Sequence, residues 1–101
     1  MHENKLSDFF YTIQLHDWIK PSHISIYLAI FELWNQNKFE NPVSISRNKI
    51  MTMAKISGIA TYHKCLRDLV KGKYIDYVPS YHPFLGSLVY VLILPQIRFR
   101  S

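Results

Sequence analysis

Between Ser44 and Lys73 the apolar residues recur at helical spacing in two blocks: Ile50, Met53 and Ala54, then Ile59, Tyr62, Leu66 and Leu69. Ser57-Gly58 interrupts the rhythm, so the pattern predicts a helix, a tight turn and a second helix. Ser46 stands where its hydroxyl can accept from an unpaired N–H near Lys49 and cap the first of these helices. The second is expected to stop at Lys71-Gly72, with Gly72 in the left-handed conformation that closes a helix. Upstream, Pro21 opens a helix running to about Gln36, where Ile24, Tyr27, Leu28, Phe31 and Trp34 or Leu33 form a wide apolar stripe suited to a scaffold. Earlier still, Phe9, Tyr11, Ile13 and Leu15 alternate with Phe10, Thr12, Gln14 and His16, which predicts a short N-terminal strand after a loose start over residues 1–8. Asn and Pro mark residues 35–42 as a loop, and Val43-Ser44-Ile45 offers a very short strand. Beyond Gly72, Tyr74–Val78 and Leu88–Leu94 read as two strands rich in β-branched and aromatic residues, paired as a hairpin across the long tip 79–87.

Composition fits one α+β domain. The chain has 101 residues, 49% hydrophobic and 15% aromatic, enough to bury a core. The longest apolar run, Leu88 to Leu94, is too short to cross a bilayer as a helix, and the start Met-His-Glu-Asn-Lys-Leu-Ser-Asp lacks the pattern of a signal peptide. A cytoplasmic protein without a membrane partner is expected. Five histidines and the lone Cys65 match no zinc spacing, and Cys65 is expected to be a small buried hydrophobe, so no metal and no cofactor is expected. No glycine-rich phosphate loop, nucleophile motif or spaced carboxylate pair is present, so neither an enzyme nor a small-molecule ligand is expected; His16-Asp17 reads as a local cap.

Charge changes the picture by where it sits. The net charge of +5 is modest, but seven of the twelve Lys and Arg residues fall between Ser44 and Lys73 against a single acid, Asp68. A basic helix-turn-helix points to double-stranded DNA. With Tyr62 at the centre of the buried face and about 100° per residue, Ile59, Leu66, Leu69 and Lys73 share that face. Ala60, Thr61, Lys64, Arg67, Asp68 and Lys71 then face outward. Small residues near the helix start allow close approach, so Ala60, Thr61, Lys64 and Arg67 are the candidates for base contacts. Arg47, Asn48 and Lys49, in the first turn of the preceding helix, and Lys71 are the candidates for phosphate contacts. At the hairpin tip Tyr81 and His82 are candidate DNA contacts, although the tip lacks a permanent cation and its Pro83, Phe84 and Leu85 suit packing or a protein contact equally well.

The order helix, short strand, helix, turn, helix, strand, loop, strand resembles a winged helix-turn-helix domain, with Ile56 through Ile75 similar to its recognition helix and first wing strand. That resemblance implies three helices, a small antiparallel sheet and here an extra N-terminal strand, with a core over residues 21–94 and a tail over 95–101. More narrowly, Leu15-His16-Asp17-Trp18-Ile19-Lys20-Pro21-Ser22-His23 together with Ala60-Thr61-Tyr62-His63-Lys64-Cys65-Leu66 resembles small transcriptional regulators carried by bacterial conjugative elements and plasmids. It implies sequence-specific DNA binding by a regulator and names no operator. The fold also serves accessory replication proteins of mobile elements and protein-interaction modules, the latter with Tyr81, Phe84 and Phe99 as a binding patch. A homodimer is expected, because one recognition helix covers few base pairs; residues 9–15 and 97–100 either pair with a second copy or lie across the chain's own first helix.

Overall fold

Residues 5–79 and 86–92 are described in the computed structural model. They form α1 (Lys5–Ile13), α2 (Pro21–Gln36), β1 (Val43–Ile45), α3 (Arg47–Ala54), α4 (Ile59–Lys71), β2 (Ile75–Val78) and β3 (Ser87–Val91). The class is α+β, with four helices and one small antiparallel sheet among these residues. The hairpin tip with Tyr81, His82 and Phe84, and the tail from residue 93, lie outside the described residues.

Three elements differ from their sequence-based expectation. Residues 9–15 are not a strand, and Lys5 to Asp8 are not loose: the segment is the helix α1. Phe9, Thr12 and Ile13 are its buried residues, an i, i+3, i+4 set, and the Thr12 hydroxyl donates to the Asp8 carbonyl at 2.8 Å. What selects the helix is tertiary: Phe9 stacks on Tyr27 at 4.0 Å between centroids and meets Tyr74 edge-on at 5.9 Å. In α2 the buried residues are His23, Ile26, Tyr27, Ala29, Ile30, Leu33 and Trp34, while Ile24 and Phe31 are half-buried and Leu28 is exposed. The buried face is therefore turned by roughly 100°, one residue's rotation, from the expected stripe. Gly72 is not left-handed; its φ is −80°, and Lys73 takes the positive value of 70°. Glycine is required there for space, since a Cβ would stand 2.5 Å from Trp18 Cζ2.

The sheet order is β1-β3-β2, both pairs antiparallel, with Val43 opposite Val89 and Ile75 opposite Val91. Val43, Ile45, Ile75, Val89 and Val91 supply its inner face to a core completed by α1, α2, α3 and α4. Asn41 extends the β1 edge: its Nδ2 donates to the Val91 carbonyl and its Oδ1 accepts from the Val91 N–H. At the entry to β3, Gly86 holds φ of 68°, and a Cβ there would meet the Ile45 carbonyl oxygen at 2.6 Å. No helix among the described residues is long and apolar enough to cross a membrane.

Candidate nucleic-acid interface

The turn between α3 and α4 is closed by local chemistry. Ser46 caps α3 by accepting the Lys49 N–H at 3.2 Å, as its position in the sequence suggests. Lys55 ends α3 in the left-handed region, and the Ile56 N–H returns to the Met51 carbonyl at 2.9 Å. The Ser25 hydroxyl of α2 donates to the Ala54 carbonyl, tying the end of α3 to the scaffold. Gly58, extended and exposed, precedes α4.

α4 is anchored by Tyr62, Cys65, Leu66 and Leu69, all buried. Burial raises the Tyr62 phenol to about 12, helped by Tyr77 and opposed by the nearby Arg47 guanidinium. Ile59 and Lys73 do not join the buried face: Ile59 is 49% exposed, and Lys73 has left the helix.

At about 100° per residue, Ala60, Lys64, Arg67 and Lys71 form the outermost ridge of α4, and all four are exposed. Thr61, also exposed, lies on the flank toward α2. Arg47, Asn48 and Lys49 are exposed in the first turn of α3. Tyr81 and His82 fall outside the described residues. On the opposite flank, His63, Leu66, Arg67, Val70 and Lys71 of α4 and Tyr77 of β2 line a shallow groove of about 320 Å³. A second groove, about 460 Å³ between α2 and α3, is lined mainly by apolar residues together with Ser25 and Glu32.

Asp68, expected to face outward, is half-buried instead and joins two other side chains. His23 of α2, only 4% exposed, accepts the Lys20 N–H on Nδ1 at 2.9 Å. A neutral ring then carries its proton on Nε2, which donates to Asp68 Oδ2 at 2.8 Å. The Lys64 ammonium reaches the same oxygen at 2.9 Å. The His23 bond, then the Lys64 bond, hold the Asp68 carboxyl below the usual carboxylate range. Sequence reasoning gives His23, His63, Asp68 and Tyr77 no individual role in the interface. The i, i+4 spacing of Lys64 and Asp68 is a usable signal for their pair, whereas the His23 bond spans 45 positions.

The linker between α1 and α2 packs on the same end of α4. The His16 Nδ1 and the Tyr74 hydroxyl are hydrogen-bonded at 2.7 Å, so His16 ties the linker to the sheet rather than capping it locally. Trp18 lies edge-on to His23 and against Gly72. Cys65 is buried and its thiol donates to the Ser22 hydroxyl at 3.4 Å. Among the described residues no group of His, Cys, Asp and Glu is arranged to hold a metal ion. The chain matches no protein-family model, no curated protein and no solved structure.

Proposed function

We propose that this is a winged helix-turn-helix domain that binds double-stranded DNA in a sequence-specific manner and acts as a transcriptional regulator. In this reading α4 enters the major groove, α3 crosses the backbone and the β2–β3 hairpin is the wing. The observation that carries it is the outward ridge of α4. Its Lys64, Arg67 and Lys71 follow the small Ala60, and none of the four is needed to pack the helix, which Tyr62, Cys65, Leu66 and Leu69 already anchor. Support also comes from the sheet order β1-β3-β2, in which the strand before α3 pairs with the hairpin that follows α4, and from the resemblance of residues 15–23 and 60–66 to small regulators of mobile elements.

Base reading is assigned to Ala60, Thr61, Lys64 and Arg67, and phosphate binding to Arg47, Asn48, Lys49 and Lys71. The protein is proposed to act as a homodimer. A strand pairing through residues 9–15 is removed by α1, but that helix offers another route, since Leu6 is 48% and Phe10 61% exposed beside the buried Ile13. Two copies double the readout through an isologous contact. Selection of bound sequences from a random duplex pool tests the whole reading: a two-fold symmetric site with half-sites one helical turn apart is expected, and a pool unchanged after selection contradicts sequence-specific binding.

A further inference from the structure

We propose that Lys64 and Asp68 act together as a donor–acceptor pair that reads the major-groove edge of one G·C base pair. The inference rests on the reading that α4 enters the major groove, and it adds Asp68 to the reading set and a base pair to the site.

The pair is held from inside the protein. His23 is fixed at both ring nitrogens, by the Lys20 N–H and by Asp68, and Trp18 lies edge-on to it at 5.2 Å between centroids. Asp68 Oδ2 takes both the His23 and the Lys64 bonds; among the described residues Oδ1 accepts none. The Asp68 side chain keeps 27% of its surface exposed and Lys64 67%, so both keep contact with solvent, Lys64 on the outer ridge and Asp68 on the flank toward α2. One of the three ammonium donors is spent on Asp68 and two remain.

Those groups match one base-pair edge. In the major groove a G·C pair presents the guanine N7 and O6 acceptors and then the cytosine N4 amino donor. O6 and N4 are bonded to each other in the pair, so they stand about 2.9 Å apart, one hydrogen-bond length. Lys64 Nζ and Asp68 Oδ2 are 2.9 Å apart, which holds the ammonium beside the carboxylate and leaves Oδ1 as the oxygen that can accept from N4. With the ammonium over N7 and O6 both remaining donors find acceptors, and the carboxylate accepts from N4. An A·T pair fits worse: the carboxylate over the adenine amino group would adjoin the N7 acceptor, and the ammonium over the thymine O4 would adjoin the apolar methyl group. Phosphate is also a poor partner, because the Asp68 charge repels it and offsets the attraction of Lys64.

The test uses the full chain and its selected duplex, with each G·C pair altered in turn. Substituting 7-deazaguanine removes the N7 acceptor, and N4-methylcytosine places a methyl group where the amino hydrogen points into the groove. At one position per half-site each change is expected to weaken wild-type binding about fivefold, the low end of a base-specific contact. In Lys64→Met the 7-deazaguanine penalty at that position disappears, and in Asp68→Ala the N4-methylcytosine penalty does. Lys64→Met changes an exposed side chain and keeps the test open should Asp68→Ala fail to fold. Penalties that persist undiminished in Lys64→Met, or a selected site with no sensitive G·C pair, overturn the inference and leave DNA binding standing. A wild-type chain that binds no duplex overturns both.

Discussion

Along the sixteen residues of α2 the one charged side chain other than histidine is Glu32, whereas the thirteen residues of α4 carry Lys64, Arg67, Asp68 and Lys71. Both helices bury one face in the same core, α2 through Ile26, Ile30 and Leu33, α4 through Tyr62, Leu66 and Leu69. Their inner faces do the same work, so the outer faces carry the difference. The cations of α4 are not explained by packing, and the lysine and arginine that a soluble helix needs for its solvated face could as well have been divided between the two. Both helices thus hold the domain together, and in the proposed reading only the outer face of α4 meets DNA.

The largest effects expected concern the face that the helices share. Ile30→Ala in α2 and Leu69→Ala in α4 each remove a side chain at most 1% exposed, and each is expected to cost about 2–5 kcal/mol in denaturant unfolding. A loss confined to one of them would end the equivalence of the inner faces. Next comes the outer face: Lys64→Ala, Arg67→Ala and Lys71→Ala combined should weaken binding to the selected duplex at least about a hundredfold, as the removal of three cations from the interface implies. Glu32→Gln on α2 should leave it within about twofold. Equal losses from both helices would contradict the assignment of DNA to α4.

A smaller effect is expected at the cap of α3. Ser46→Ala leaves the Lys49 N–H without its partner and should cost about 1 kcal/mol, read from the shift in the denaturation midpoint. No loss would mean that water replaces the hydroxyl fully. Smallest is a pH effect at the link between the two helices. The His23 and Lys64 bonds keep the folded Asp68 carboxyl below its ordinary pKa of about 3.9, so its stabilisation is present above that value and is lost as pH falls through the lower folded one. The stability gap between wild type and Asp68→Asn should hold above about pH 5 and narrow from there toward pH 3. A gap that widens on acidification would show the opposite linkage.

How much of this is legible in the sequence depends on how local its causes are. The α3 cap, the turn at Ser57-Gly58 and the span of α4 follow from neighbours within a few residues, and all stand in the structure. α1 reads as a strand because Phe9, Tyr11, Ile13 and Leu15 alternate by coincidence; the contacts that decide, Phe9 on Tyr27 and Tyr74, join distant segments. In α2, Leu28 and Ile30 are equally apolar in the sequence, and only the packed neighbours show that Ile30 is the buried one. Gly72 stands out in the sequence for a different cause from the real one, since its need for space arises from Trp18, 54 positions earlier. The outward ridge of α4 follows from periodicity, yet the His23 bond to Asp68 has no local signature.

The exposed cations of α3 and α4 are proposed to meet phosphate and base groups of a DNA duplex. The most direct test is the dependence of random-duplex affinity on salt, measured for the wild type and for Arg47→Ala/Lys49→Ala. Log K is expected to fall linearly with log salt concentration, and the slope to flatten by about two units in the variant, about 0.9 for each phosphate that is no longer neutralised. Absence of binding at low salt, or a slope that the substitutions leave unchanged, would contradict the proposed contacts.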